Sequence, residues 1–297
     1  MRYLVLVTDM HRSLAAGMRH DGEVRVINVE RNGAGMSFRS VVRASGQLAR
    51  CALDRHSVAV ISHPFNPWFS LFALFARDIE VYDDGTAYYN ETKIPGGALS
   101  IVYRFLTFRH FRWREVAPPH DDYGTMLRTS RASALHAMYP HALEGVPYEV
   151  VPIDLTLAFP RVVPDENATM VRLFLDTGCD VAPQGTAAEA AVRALEGLAS
   201  VQPGATFYYR PHPTGPSEVS QLLAKCSWAM LMDGALEDVV REYNVVEVIS
   251  FSSSGALSIK NMFPEARVIN MKRIGSPSAP RALERVFSGL RADEVAY

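Results

Sequence analysis

A chain of 297 residues is long enough to bury a substantial core, and this length favours two medium-sized domains over one large domain. With 48% hydrophobic and 21% charged residues, the composition is that of a folded globular protein and excludes the disordered class. The 30 basic and 32 acidic residues nearly balance, so net charge gives no reason to expect nucleic acid as a partner.

Cysteine content and hydropathy favour a cytoplasmic location. Cys51, Cys179 and Cys226 are far apart and odd in number, which argues against a disulfide framework or a zinc site. The apolar run at 1–8 is too short for a signal peptide and is interpreted as the first buried strand. No stretch reaches the roughly 20 apolar residues of a spanning helix, so any membrane contact is expected to be peripheral, on the inner face. Formation of a homodimer stays open.

In chain order, the first half alternates strand and helix patterns. Strands are predicted at 3–8, 24–29, 57–62 and 79–82, and helices at 38–53 and 68–76. The stretch 152–164 holds three prolines and is the best linker candidate, with a domain boundary near residue 160.

The second half repeats this rhythm. Strands are predicted at 170–175, 205–209, 228–232, 245–249 and 267–270, and helices at 187–198, 217–224, 236–243 and 255–261. A last helical pattern at 280–290 is expected to pack back across the domains. Such alternation is typical of a parallel sheet covered by helices, so the chain is predicted to form two Rossmann-like domains.

Three short polar motifs each follow a predicted strand. They are an acidic pair with glycine at 83–85, a His-Pro pair at 212–213 and three serines at 252–254. In an open α/β sheet, ligands bind at the carboxyl ends of the strands. The shared position of the motifs therefore predicts one site built from both halves of the chain.

The acidic motif has the chemistry of a general base. Asp83 and Asp84 are adjacent, and repulsion with partial burial would raise the pKa of one of them, as deprotonation of a sugar hydroxyl requires. Gly85 next to them also fits an ordinary turn. Tyr88 and Tyr89 fit either an acceptor-binding surface for a sugar face or plain core packing.

The His-Pro motif is held rigidly. Prolines on both sides of His212 fix its backbone outside the sheet, and Arg210 offers a second positive charge to a phosphate, although an ordinary loop is the alternative. Pro213 is counted with His212 as donor-binding. A second His-Pro pair, at His63, lies among aromatic residues that indicate packing.

The serines precede a predicted helix. Ser252, Ser253 and Ser254 offer hydroxyls beside the amides and dipole of the helix start, which together favour an anion, although one serine suffices for a cap. The polar segment of Asp176, Thr177 and Gly178 follows another strand and is a candidate lip for the nucleotide.

The sequence contains none of the common motifs for nucleotide or metal binding. P-loop and dinucleotide-binding glycine patterns are missing from the sequence. The acidic pairs at 121–122 and 237–238 have no histidines at ligand spacing, so no metal site is predicted. The basic and aromatic stretch 103–114 is interpreted as a partly buried helix, with contact to an anionic membrane surface as the alternative.

The order of the motifs resembles that of the bacterial sialyltransferases of GT-B fold, the lipooligosaccharide sialyltransferases and polysialyltransferases. The resemblance spans about residues 80–270. It implies a GT-B-like α/β fold, in which an acceptor-binding domain at 1–160 and a CMP-donor-binding domain at 161–297 have parallel sheets that face a central cleft.

The resemblance also implies an activity. It implies an inverting glycosyltransferase, without metal or cofactor, that moves sialic acid or a related nonulosonic acid from its CMP donor to a glycan of a bacterial surface polysaccharide or lipooligosaccharide. Asp84 is implied as the base with Asp83 beside it, and His212 as general acid and phosphate ligand. The serines are implied to hold the phosphate, but the family has a pair where this chain has three, so the choice of pair stays open.

Three alternatives remain. A CDP-polyol phosphotransferase resembling the teichoic acid polymerases shares the His-Pro and serine motifs, but its base is a histidine in the first half, for which only His63 is available. A CMP-Kdo transferase differs in the donor sugar. The third alternative is not an enzyme but an inactive glycan-binding homologue.

Overall fold

The fold was analysed in a computed structural model of the chain. The structure describes residues 2–8, 12–29, 31–32, 35–36, 57–61, 78–83, 132–143, 149–165, 167–177, 182–201, 204–213, 215–234, 236, 240–274 and 281–297. The chain divides into two compact units, Met1–Ala158 with Pro280–Leu283, and Phe159–Ala279 with Glu284–Tyr297. Among the described residues, no helix combines the length and the hydropathy needed to cross a bilayer.

The first unit is built on a six-stranded parallel sheet with the order β2-β1-β5-β6-β7-β8. Its strands are β1 (Arg2–Thr8), β2 (Glu23–Val29), β5 (Ser57–Ile61), β6 (Asp78–Tyr82), β7 (Ala134–Ala137) and β8 (Glu149–Pro152). A separate antiparallel pair is formed by β3 (Arg31–Asn32) and β4 (Gly35–Met36). The described helices are α1 (Arg12–Gly17), a 3-10 turn at Pro140–Ala142, and α2 (Leu155–Ala158).

The predicted strands of this unit are confirmed to within one residue. Central residues of β1, β5 and β6, such as Val5, Val60 and Val81, are completely buried, as expected for inner strands of a parallel sheet, whereas Val24 and Val26 on the edge strand β2 are exposed. The strands β7 and β8 were not predicted, because both are short and β7 carries the polar His136 within it. The helices predicted at 38–53 and 68–76 lie outside the described residues.

The second unit has another six-stranded parallel sheet, with the order β11-β10-β9-β12-β13-β14. Its strands are β9 (Met170–Leu175), β10 (Thr206–Arg210), β11 (Ala229–Leu231), β12 (Asn244–Ser250), β13 (Arg267–Lys272) and β14 (Asp293–Ala296). The described helices are α3 (Thr186–Ser200), α4 (Glu218–Leu223), α5 (Gly255–Met262) and α6 (Arg281–Gly289), with a 3-10 turn at Val240–Glu242.

The second unit follows the sequence prediction closely, except at its last strand and at one helix. Within the helix predicted at 236–243, Leu236 is helical, 237–239 lie outside the described residues, and Val240–Glu242 form a 3-10 turn. The strand β14 was not predicted, since three of its four residues are exposed and its run is not apolar. Helix α3 buries Ala188, Ala191 and Leu195 on one face against the sheet, as amphipathic spacing predicts.

Both sheets reverse their direction of growth at one point. In the second unit, β10 and β11 are added on one side of β9, whereas β12, β13 and β14 are added on the other. In the first unit, the reversal lies between β1 and β5. Ligands of doubly wound folds bind outside the carboxyl ends of the strands at such a switch point. The two parallel sheets confirm the predicted α/β class with Rossmann-like units.

Gly17 at the end of α1 packs against the α2 region with no room for a side chain. Its carbonyl accepts a hydrogen bond from the Asp154 amide, with an N···O distance of 2.8 Å. A Cβ atom at residue 17 would lie 2.5 Å from the Asp154 carbonyl oxygen and 2.7 Å from Ile153 Cγ2. The backbone oxygen can move away only if the packing of α1 on α2 changes.

We therefore expect Gly17→Ala to lower the free energy of unfolding by about 1–3 kcal/mol, the usual cost of overpacking. Gly197→Ala is the matched control, because an added Cβ at this position in the last turn of α3 meets nothing within 4 Å. This control should raise stability by up to about 1 kcal/mol through helix propensity. Urea denaturation followed by circular dichroism measures both, and equal midpoints for Gly17→Ala and wild type would contradict the packing argument.

Candidate functional site

Three neighbouring strands of the second unit end at the same level. In the registers of β10, β9 and β12, Arg210 lies opposite Leu175, and Leu175 lies opposite Ser250. The segments that follow these strands are 176–177, 211–213 and 251–254, and all three leave the sheet at the carboxyl ends of the strands. The switch point between β9 and β12 lies at this end of the sheet. The structure thus brings the three predicted donor-binding segments to one place in this unit.

The first serine of the loop after β12 has an unusual backbone. Ser252 has a φ of 62°, a left-handed conformation that costs energy for a residue with a side chain. Its amide and its hydroxyl both donate to the buried side-chain oxygen of Asn270, at 2.9 and 3.2 Å. Asn270 on β13 therefore holds this turn in place. Because the Ser252 hydroxyl donates its proton to Asn270, that proton is not available to a ligand.

The next two serines keep their protons available within the described part of the chain. The Ser253 hydroxyl oxygen accepts from the Gly255 amide at 3.2 Å, and acceptance leaves the hydroxyl proton unused. Ser254 is the N-cap of α5 and makes no side-chain capping hydrogen bond. Gly255 lets the helix start lie against β9, because a Cβ atom there would come 3.0 Å from Leu175 Cδ1. All three serines are half-buried.

The His-Pro motif lies in a tight turn beyond β10. His212 is half-buried, and its carbonyl accepts from the Gly215 amide at 2.9 Å. Gly215 has a φ of 138°, which favours glycine at this position. Arg210 ends β10, and its carbonyl accepts from the Asp176 amide at 3.0 Å. The turn is thus anchored to the end of β9, and Pro213 lies exposed on its surface.

The carboxylate of Asp176 accepts hydrogen bonds from neighbouring residues of the chain. It is buried and accepts from the hydroxyls of Ser217 and Ser220 at 2.7 and 2.6 Å, and from the Ser217 amide at 3.0 Å. The Thr177 amide donates to it as well, at 2.8 Å. These bonds tie the end of β9 to the start of α4 and give Asp176 a positioning role. Thr177 is half-buried next to it, and Gly178 lies outside the described residues.

In the first unit, Asp83 directly follows β6. Its side chain is fully buried, its amide donates to the His136 carbonyl at 2.7 Å, and its carboxylate accepts from the Met138 amide at 3.4 Å. Burial, and then the charge of Asp83, raise the pKa of the nearby Tyr139 hydroxyl, which therefore stays protonated. The other predicted residues of this motif region lie outside the described residues: Asp84, Gly85, Tyr88 and Tyr89.

A buried polar cluster in the first unit was missed by sequence analysis. His136 Nε2 lies 2.7 Å from Glu80 Oε2, and His20 Nδ1 lies 3.8 Å from the same oxygen. The side chains of His20, Glu80 and His136 are only 2%, 13% and 2% exposed. Because 56 residues separate Glu80 from His136, no local spacing motif exists. The sequence shows Glu80 within the strand predicted at 79–82, but no pattern links it to His20 or His136.

Comparison with known proteins shows the fold. No family model matches the chain, and no curated protein does. The chain is similar to the S. aureus MnaA–UDP structure, with 12% identity over 97% of this chain and 83% of that chain and a TM-score of 0.53. It is also similar to the UDP-GlcNAc 2-epimerase of Methanocaldococcus jannaschii in complex with UDP-GlcNAc and UDP, with 11% identity, coverage of 100% and 89%, and a TM-score of 0.50.

The GT-B domain of a sialyltransferase from Photobacterium damselae also matches, with 11% identity over the whole of both chains and a TM-score of 0.45. Taken with the two parallel doubly wound sheets, the two matches with TM-scores of 0.53 and 0.50 confirm the predicted GT-B-like α/β fold. At these identities they establish the fold alone.

The Asp176 network predicts a stability effect. Ser220→Ala removes one hydroxyl donor from a buried carboxylate, so we expect the free energy of unfolding to fall by about 1–3 kcal/mol. Ser200→Ala is the matched control, since this exposed hydroxyl bonds only the Gly197 carbonyl at the end of α3. The control should change stability by no more than about 0.5 kcal/mol. Denaturant midpoints measure the difference, and an equal loss in both variants would refute the positioning role.

Proposed function

We propose that the protein is an inverting glycosyltransferase that moves sialic acid or a related nonulosonic acid from its CMP donor to a hydroxyl of a glycan acceptor. One observation carries the proposal: the serine loop and the His-Pro turn follow strands that end level at the switch point of the second unit. Donor hydroxyls, a helix start and an imidazole at one strand edge suit a phosphate. The order of these motifs after the acidic motif supports the choice of CMP donor.

Ser253 and Ser254 are the proposed phosphate ligands. A phosphate oxygen accepts hydrogen bonds, so a useful serine must have its proton available. The Ser252 proton is bonded to Asn270, whereas Ser253 uses its oxygen only as an acceptor and Ser254 makes no capping bond. The dipole of α5 adds a favourable potential for the anion at the same place. Ser252 therefore sets the shape of the loop, and Ser253 and Ser254 bind the phosphate of the donor.

His212 is the proposed general acid. When the bond from C2 of the sugar to the phosphate oxygen breaks, negative charge grows on CMP, and an imidazolium can donate both a hydrogen bond and a proton to it. The flanking prolines and the bond to Gly215 hold His212 in a fixed turn. Arg210, two residues earlier at the end of β10, adds positive charge to the same edge.

Asp84 is the proposed base. As C2 becomes oxocarbenium-like, the acceptor oxygen forms the new bond from the face opposite the leaving group, and its proton passes to the carboxylate. Asp83 before it is buried and bonded through its amide and carboxylate to β7 and Met138, which anchors the backbone next to Asp84. The step as proposed uses no metal or cofactor besides the CMP donor.

Nucleotide selectivity tests the donor. CMP at 100 times its dissociation constant should stabilise the full-length protein by about 2.7 kcal/mol, which appears as a raised melting temperature. UDP and UDP-GlcNAc at equal concentration serve as matched controls and should give little shift. Stabilisation by UDP but not by cytidine nucleotides would reject the proposal. Turnover of CDP-glycerol in preference to CMP-sialic acid would favour the polyol phosphotransferase instead.

Substitutions test the roles. Release of CMP from a CMP-nonulosonate in the presence of a galactoside or sialoside should fall at least about 100-fold in His212→Ala and Asp84→Asn, the usual range for losing a general acid or base. Full activity in either variant would overturn that residue's role. Both variants must keep the wild-type circular dichroism spectrum.

The serine assignment has its own test. Ser253→Ala and Ser254→Ala should each weaken donor binding by about 10- to 150-fold, since one hydrogen bond to a charged group is worth about 1.5–3 kcal/mol. Ser252→Gly is the matched control, because glycine adopts the left-handed backbone at no cost and no proposed ligand is lost. It should keep the wild-type KM for the donor. A larger loss in Ser252→Gly than in the other two would show that the pair is chosen wrongly.

A further inference from the structure

The His20, Glu80 and His136 cluster has the spacing of a metal site. One potential ligand atom from each side chain lies within 4.8 Å of the other two. Zinc binds histidine nitrogen and carboxylate oxygen at about 2.0–2.2 Å, which places tetrahedral ligand atoms roughly 3.3 Å apart. The observed distances to Glu80 Oε2, 2.7 Å from His136 and 3.8 Å from His20, lie on either side of that value. Small shifts of the side chains would complete the geometry.

The cluster leaves buried nitrogen atoms unsatisfied. Among the described residues, neither ring nitrogen of His20 has a hydrogen-bond partner, and Nδ1 of His136 has none. Such buried polar atoms cost about 1–3 kcal/mol each. A cation bound to the ring would give His20 a polar partner.

Three separate parts of the first unit meet in the cluster. His20 follows α1, Glu80 lies within β6 and His136 within β7. Alternation along β6 directs Glu80 and Asp83 to opposite faces of the sheet, since they are three residues apart. The His136 carbonyl nevertheless accepts the Asp83 amide proton. An ion at the cluster would therefore hold β6 and β7 together next to Asp83.

We propose that His20, Glu80 and His136 bind a zinc-class divalent cation that stabilises the first unit. Two imidazoles and one carboxylate form a donor set that zinc accepts, whereas magnesium and calcium prefer oxygen ligands alone. The three residues leave a fourth tetrahedral position, which a water molecule takes. The readout is metal binding, so this proposal stands or falls independently of the transferase function.

Metal titration of the full-length wild-type protein tests the site. After chelator treatment and dialysis, the protein should bind one equivalent of Co²⁺ with visible d–d absorption of a tetrahedral centre, and Zn²⁺ should displace it. Zn²⁺ should also raise the melting temperature, and Mg²⁺ at the same concentration should not. The Co²⁺ form should show strongly shifted nuclear magnetic resonances from two histidine rings. A folded wild-type protein that binds no Co²⁺ or Zn²⁺ in this way would overturn the site and leave a hydrogen-bonded polar cluster only.

Substitutions locate the ion. Glu80→Gln and His136→Asn should each weaken Zn²⁺ binding by more than the roughly 10- to 100-fold that loss of an outer partner of a ligand costs. His141→Asn is the matched control, because His141 is an exposed histidine on the 3-10 turn after β7 and is not one of the three clustered ligand residues. It should bind as wild type does. Wild-type affinity in folded Glu80→Gln and His136→Asn would refute the assignment, and if either variant does not fold, the histidine resonances of the wild-type Co²⁺ form decide it.

Discussion

The register between β9 and β12 is the constraint on which the candidate site depends. A bulge in β12 between Val245 and Glu247 adds one residue to that strand. Without the extra residue, Ile249 rather than Ser250 would lie opposite Leu175, and the serine loop would leave the sheet one residue further along. The bulge also brings Glu247 opposite Arg172, where the two form a buried ion pair with a distance of 3.5 Å between Nε and Oε1. Bulges re-aim side chains next to functional sites in many sheets.

Burial separates the polar residues at this edge into two groups. Asp176 and Asn270 are buried, and each accepts hydrogen bonds from residues of the loops around it. They set the positions of these segments. His212, Ser253 and Ser254 are half-buried, which leaves them accessible to a ligand. A site of this kind needs both groups, since ligand-binding side chains are useful only when their backbone is held.

The fold by itself does not determine which substrate is bound. Structures similar to this chain include a UDP-bound protein and a UDP-GlcNAc 2-epimerase, at 12% and 11% identity. Doubly wound units offer the same strand edge to many nucleotides, and the side chains at that edge decide which one binds. The proposal of a CMP donor therefore depends on the residues of the motifs, and the nucleotide experiment addresses it directly.

Local sequence pattern was sufficient to predict most of the strands and the placement of the motifs, because a buried parallel strand needs an unbroken apolar run and a polar residue after it marks its end. The stretches before Asp83 and Ser252 are mostly apolar, although an acidic residue, Glu80 or Glu247, lies within each. Short strands such as β7 and β14 gave no such signal, since few residues and mixed burial leave no pattern.

Long-range pairing decided the rest. Contacts between distant segments determine which strands are neighbours and where the bulge lies. They also determine that the Ser252 hydroxyl donates to Asn270. The same holds for His20, Glu80 and His136, which become a cluster only when α1, β6 and β7 pack together. The sequence by itself determined the elements and the chemistry available at their ends. Only the tertiary structure decided which polar groups are used up inside the protein and which remain for a ligand, because hydrogen bonds between distant residues have no local signature.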